Sequence, residues 1–158
     1  MTSILKVDSI QNTAGTTAIS GAGKILQVKY VQRTDAPTYG TSFTEMLSQN
    51  ITPSSTSSVI LIQATINTYH ASYGQHAAKL VKDSSALNFE ASDYYHNAGS
   101  GVSGNIKIQY IDVANTTSAI NYKIFVKAES GSGSHAINKD YNGTVNGVTS
   151  LVLMEIGV

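Results

Sequence analysis

From residue 24 onward, apolar side chains recur at every second position in short runs separated by Gly, Pro, Asn and Ser, and no stretch sustains a helical repeat. A period of two sends alternate side chains to opposite faces of an extended chain, so this pattern restricts the sequence to an all-β fold. In ILQVKYVQR, Leu26, Val28 and Tyr30 alternate with Gln27 and Lys29, and a strand is expected from about residue 24 to residue 33. In VILIQATINTY, Ile60, Ile62, Ala64 and Ile66 share one face, while Val59 and Leu61 make the opposite face apolar at its start. NIKIQYIDV aligns Ile106, Ile108 and Tyr110, and AINYKIFVKA aligns Ile120, Tyr122, Ile124 and Val126 with Phe125 pointing the other way. The ending SLVLMEIGV is apolar on both faces. Phe43, Met46, Leu47 and Ile51 follow a broken pattern, and residues 69–76 and 89–104 read as loops, the second freed by Gly99, Gly101 and Gly104.

Roughly eight strands at regular spacing predict an antiparallel two-sheet β-sandwich with Greek-key or jelly-roll connections. The 158 residues suffice for one domain with its own core. Strands apolar on both faces conflict with an isolated sandwich, whose outer faces should be polar. Burial between subunits removes the conflict, and Val59, Leu61, Phe125, Leu151 or its neighbours, and Glu155 are the candidate interface residues, periodicity leaving open which apolar face is core and which is interface. Glu155 is the single charge inside LVLMEI. An unpaired buried carboxylate is costly, so it is expected to meet a Lys or Arg near a subunit boundary.

The head of the chain is different. KVDSIQNTAGTTAIS holds one strand's worth of alternation and then dissolves into small polar residues. Alone it has too little apolar area to offset its ordering entropy and would leave backbone groups unpaired. Residues 1–23 are therefore read as an assembly arm that borrows a partner through Ile4, Leu5, Val7 and Ile10, and residues 24–158 as the sandwich domain.

Composition narrows the function. Cysteine is absent, so thiolate nucleophiles, disulfides and Cys-ligated metals are excluded. Ten basic residues balance ten acidic ones at 13% charged content, which supplies no field for nucleic acid or an anionic membrane. MTSILKVDSI lacks the basic start of a secretory signal, and no apolar run is long enough to insert into a bilayer. GSGVSG and GAGK lack the framing of a phosphate loop, and the sparse carboxylates Asp83, Glu90 and Asp93 read as turn residues and not as a catalytic pair. His70 and His76 could meet Asp93 and His96 if their loops converged, but the spacing matches no zinc signature, so no metal or cofactor is assigned. Tyr69, His70, Tyr73, Tyr94, Tyr95 and His96 are expected on exposed loops, where aromatic faces beside polar groups suit a partner surface or a host glycan.

The head ILKVDSIQNTAGTTAIS, the segment GKILQV, the loop ITPSSTSSVILI and the ending SLVLMEIGV, in that order, resemble a group of small structural proteins of tailed phages, frequent in marine and cyanobacterial phages. The resemblance spans nearly the whole chain. It implies a tail-fibre or appendage protein, or a capsid decoration protein, whose domain is a trimeric jelly roll of the tumour-necrosis-factor and C1q type. The partners so implied are two further copies of the chain, other virion proteins and a host surface glycan, with the virion as location. A chain with no long shaft shifts weight toward an adaptor or decoration role, and a free-standing lectin-like module is the remaining reading. In none of these does the chain act as an enzyme.

Overall fold

The computed structural model describes residues 23–71, 73–95, 101–132 and 134–158, without the side chains of residues 73, 88–91, 93–95 and 131–132. The arm expected at residues 1–23 lies outside this description except for Gly23. Among the described residues there is no helix. Eight long strands carry the fold: β1 (Ile25–Arg33), β3 (Thr44–Ile51), β4 (Val59–His70), β5 (Tyr73–Lys82), β6 (Ser85–Tyr95), β7 (Val102–Val113), β8 (Ile120–Ser132) and β10 (Thr149–Ile156). Two short ones, β2 (Thr38–Tyr39) and β9 (His135–Ile137), fill one end.

All pairings between these strands are antiparallel, in two sheets. In the six-stranded sheet β1 pairs with β10, β10 with the first half of β4, and β7 with the other edge of β4; β9 and β2 continue from the second half of β4. The four-stranded sheet runs β3-β8-β5-β6. Each sheet thus interleaves strands from the start, middle and end of the chain, and with β2 and β9 set aside this is the eight-strand order of a jelly roll. The expected antiparallel sandwich is the observed fold.

Alternation dictates the packing. Ile60, Ile62 and Ile66 of β4, Ile106 and Ile108 of β7, and Leu151 and Leu153 of β10 point inward from one sheet, each at most 2% exposed. They meet Met46, Leu47, Ile51, Leu80, Tyr122, Ile124 and Val126 from the other. Each large aliphatic side chain so buried stabilises the fold by about 1.5–3 kcal/mol. The broken pattern near Met46 has a local cause: the β3–β8 register slips between Glu45 and Leu47, so two consecutive residues, Met46 and Leu47, are both buried.

Two expectations are corrected here. Residues 69–70, 73–76, 89–95 and 102–104 are not loops: they belong to β4, β5, β6 and β7. Their polar composition hid the strands, because β5 lies between β8 and β6, and tight pairing on both edges tolerates side chains such as Gln75 and His76. Leu151, expected at a subunit boundary, faces the core with no exposure; its neighbours Val152, Met154 and Ile156 face out.

At one rim the sheets are tied by Tyr122 of β8, which donates to the Asp112 carboxylate of β7 at 2.5 Å, while Lys82 of β5 pairs with the same oxygen at 2.7 Å. Burial first, then this hydrogen bond, pushes the Tyr122 hydroxyl well above the usual phenol range.

Candidate functional site

Residues directly opposite in antiparallel neighbours share a face, so the register fixes which side chains form the outer surface of the six-stranded sheet. One row reads Val28, Met154, Leu61, Ile111 across β1, β10, β4 and β7. The next, toward the chain end, reads Ile25, Ile156, Val59, Val113. A third begins with Tyr30 and Val152 and turns polar at Gln63 and Gln109. Ten apolar side chains thus tile four adjacent strands on the side facing away from the core.

Their exposure grows from the centre outward. Val59, Leu61, Val152, Met154 and Ile156 are half-buried by their neighbours, while Ile25, Val28, Tyr30 and Ile111 stand 60%, 51%, 69% and 65% exposed. Leu26, beside the register shift between Ile25 and Gln27, adds a further exposed side chain. Single exposed apolar residues are ordinary, but a contiguous patch beyond a few hundred Å² marks an interaction surface. At the roughly 60–120 Å² that the transfer scale implies for a fully exposed side chain, six about half exposed leave roughly 180–360 Å² bare, and the half-buried residues between them bring the patch to that order.

The shift in β1 also turns Gln27 inward to Glu155. That carboxylate is fully buried: Oε1 accepts from the Ser54 hydroxyl at 2.6 Å, the Ser54 amide at 2.7 Å and the Ser58 hydroxyl at 2.7 Å, and Oε2 accepts from Gln27 Nε2 at 2.6 Å. Burial alone would raise its pKa, but the donors of Ser54, Gln27 and Ser58 outweigh it and hold the group down to about 2. The expectation of a Lys or Arg at a subunit boundary is corrected: Glu155 is satisfied within its own chain, where it anchors the 52–58 loop beneath the apolar rows.

Val59 and Leu61 therefore lie in the apolar patch. Phe125 does not join them, because it is on the outer face of the other sheet, half-buried, with Lys79 Nζ 5.5 Å from its ring centroid. The patch residues that sequence reasoning missed are Ile25, Val28, Tyr30, Ile111 and Val113, while Val152, Met154 and Ile156 were legible as one of the two apolar faces of the last strand. A signal existed in β7, where the outward row Asn105, Lys107, Gln109 turns apolar at Ile111 and Val113.

The expected aromatic contact surface is rearranged. Tyr69, 9% exposed, lies under the loop joining β9 to β10, with its ring so close to Gly101 that a Cβ there would approach it to 2.8 Å. Gly143 of that loop, at φ +79°, passes beside the Tyr69 hydroxyl. His70 is 1% exposed and faces the core. Both are thus buried strand residues and not exposed loop residues, because β4 runs on through His70. Tyr73, Tyr94 and Tyr95 belong to β5 and β6, where Tyr95 opposes Gly74 and Tyr94 opposes Gln75. Their side chains, His96, and the arm residues Ile4, Leu5, Val7 and Ile10 lie outside the described structure.

At that same end, on the outer face, a polar cavity of about 300 Å³ is lined by Asn67, Asn105, Lys139, Asp140 and Asn146 with backbone of the β9–β10 loop. On the inner side, His70 of β4 and His76 of β5 do come together, joined by His135 of β9, which sequence reasoning had not singled out. Among the described residues, no three His, Asp or Glu side chains are arranged to hold a metal ion.

No protein-family profile matches the chain, and a comparison with curated proteins gave no match. Among solved structures it is similar to chains of infectious bursal disease virus: the Gt strain structure (TM-score 0.45, 14% identity, covering 98% of this chain and 43% of that one) and the Gx strain structure (0.46, 15%, 96% and 42%). The crystal structure of the VP2 subviral particle of the same virus gives a TM-score of 0.42 at 15% identity, covering 98% of this chain and 43% of that one. This chain spans less than half the length of those proteins.

Proposed function

We propose that this protein is a structural subunit of a virion that acts by binding and not by catalysis, and that it assembles with further copies of itself through the apolar outer face of the six-stranded sheet. That face is the observation that carries the reading. Its three rows hold no charged residue, and the chain as a whole has zero formal net charge, so identical copies meet without repulsion. The few hundred Å² already bare form an apolar centre, and a specific interface of roughly 800 Å² per partner would add the polar rim around it. Covering it also answers why strands such as β10 are apolar on both sides.

The number of copies is three, as the resemblance to the phage jelly-roll proteins implies. In the tail-fibre or appendage reading, the apolar rows and the end of the sandwich carrying Tyr73, Tyr94 and Tyr95 are separated along β4 by roughly 35 Å, so a trimer closed at one end leaves the other free for a host surface glycan. In the capsid-decoration reading, the arm residues Ile4, Leu5, Val7 and Ile10 grip the shell instead. A lectin acting alone needs neither the arm nor the apolar face.

Mass measurement of the full chain in solution tests the assembly: a trimer is expected, and a monomer at high micromolar concentration overturns it. Negative-stain labelling of intact particles separates tail from capsid. Removing residues 1–20 should abolish incorporation into particles while leaving any sugar binding intact. A glycan array with the parent and with Tyr94→Ala and Tyr95→Ala variants tests the receptor role, which falls if the parent binds nothing.

A further inference from the structure

The chain has four histidines, and three of them, His70, His76 and His135, sit in one buried cluster at 1%, 0% and 7% exposure. They come from three strands of both sheets: His70 from β4 and His135 from β9 on one side, His76 from β5 on the other. Ring centroids are 5.3 Å apart for His70 and His76, 5.2 Å for His76 and His135, and 6.4 Å for His70 and His135. Tyr39 of β2 completes a chain of contacts, its hydroxyl 3.1 Å from His76 Nδ1, while His76 Nε2 is 3.1 Å from His135 Nδ1.

This chain has a defined proton capacity. With every imidazole neutral, Tyr39 donates to His76 Nδ1 and the Nε2–H of His76 donates to His135 Nδ1, so each contact holds one hydrogen. One added proton leaves the His76–His135 hydrogen bond intact but places a charge between the sheets. A second sets N–H against N–H at 3.1 Å and two like charges about 5 Å apart, and only separation of the strands relieves it.

We propose that the histidine cluster is an acid-sensitive clasp between the two sheets, whose protonation below about pH 6.5 opens the end of the sandwich made by β2, β9 and the adjoining ends of β4 and β5 and leaves the end with the apolar rows closed. The β4–β7, β5–β8 and β5–β6 ladders run to both ends, but this end is the weaker one, since here β2 and β9 pair over two or three residues where β1 and β10 pair over seven or eight at the other, which also has the Lys82–Asp112–Tyr122 tie. Burial, then the neighbouring His135 and His70, holds His76 down to about 3, and burial lowers His135 as well. For a base lowered on folding the sign is definite: the folded cluster binds fewer protons than the open one, so stability falls from pH 6.5 downward toward 3. The other groups at this end are few. On β8 the partners of His76 and Gln75 are Ala128 and Ser130, with Glu129 in the register shift between them, on β7 the partner of His70 is Val102, and on β6 the partner of His76 is Asp93, so Glu129 and Asp93 are the ionisable residues that the register adds.

Hydrogen exchange on the full chain between pH 7.5 and 5, corrected for intrinsic rates, tests the clasp, with the imidazole shifts of histidine-labelled protein as a second readout. Protection at residues 38–39, 70–76 and 135–137 should fall roughly tenfold per pH unit for each proton taken up, while residues 59–62 and 151–156 stay protected. The window avoids Glu155, which titrates below 4.5. In His76→Gln, whose amide can make both contacts without titrating, the slope should drop by one proton. The proposal is overturned if protection at this end is independent of pH, if His76→Gln keeps the full slope, or if Asp93→Asn alone removes it. Should His76→Gln fail to fold, the parent's own shifts decide: a His76 that titrates near 6.5 with protection unchanged rules the clasp out.

Discussion

On the outer face of the four-stranded sheet, Phe43 lies beneath two ammonium groups, Lys79 at 4.1 Å and Lys127 at 4.7 Å from its ring centroid, and Phe125 lies 5.5 Å from Lys79. On the outer face of the six-stranded sheet, Ile25, Val28, Tyr30 and Ile111 stand more than half exposed. Both faces carry large apolar side chains. On the first, long lysine stems lie over the rings while their charges reach water, and the ammonium groups gain from the π-faces, so that surface is complete in one copy of the chain. On the second, the rows run across four strands without such a cover. The difference teaches that the number of outward apolar residues is a poor guide to an interface; what matters is whether the chain covers them itself.

The largest test places a charge in the middle of the uncovered rows. Leu61→Asp lies between Met154 and Ile111 in register and remains half in water in the single chain, so the fold should survive. In the assembly each copy would bury an unpaired carboxylate, and association should weaken at least a hundredfold, about 3 kcal/mol. Sedimentation equilibrium reads this directly. Phe125→Asp on the other face should leave the mass unchanged. If the two substitutions act alike, the contrast between the faces is broken.

A second test concerns what holds the uncovered face in shape. Glu155 ties β10 and, through Gln27, β1 to the loop holding Ser54 and Ser58. Glu155→Ala leaves those donors without their acceptor and should cost about 2 kcal/mol at pH 7, seen as a lower midpoint in urea. The parent should lose this contribution as pH falls from 4.5 to 2, because a carboxyl held down in the folded state is stabilising above its unfolded pKa and neutral below its folded one. The alanine variant should lack that limb of the pH profile.

How far the sequence could be read depended on which rule each segment obeyed. Where one face was buried and the other wet, as in β7 and β8, alternation named the centre of the strand and its inward row, though not the Gly- and Ser-rich ends. Where both faces were apolar, as in β10, alternation gave two rows but no means of ranking them, so Leu151 and its neighbours were equal candidates for the boundary until the fold put Leu151 in the core. β5 and the end of β4 failed for another reason. His76 is polar yet buried because it hydrogen-bonds Tyr39 and His135 across the two sheets, a solution that depends on residues 59 positions apart, and the His70 ring packs edge-on against it. Glu155 hid in the same way, since its partners are serines and a glutamine rather than the cation that simple charge pairing suggests. Ile111 and Val113 were visible as letters, but only the register with Leu61 and Met154 made them part of a surface.

The smallest expected effect removes the cover from the covered face. Lys79→Met keeps most of the aliphatic stem over Phe43 and Phe125 and deletes only the ammonium, so each lost cation–π contact should lower stability by about 0.5–1 kcal/mol. Lys127 is also engaged with Glu129 at 2.6 Å, so Lys127→Met mixes that exposed ion pair, worth less than about 1 kcal/mol, with the loss over Phe43. The informative variant is the double one. If lysine cover is what keeps this face out of assembly, Lys79→Met with Lys127→Met should leave the parent's oligomer intact through the six-stranded sheet and add a weaker, concentration-dependent association through Phe43 and Phe125. Light scattering across a dilution series distinguishes the two, because the added association should disappear again in a triple variant with Phe43→Ser. A double variant with unchanged mass at every concentration would mean that the two faces differ in shape rather than in cover.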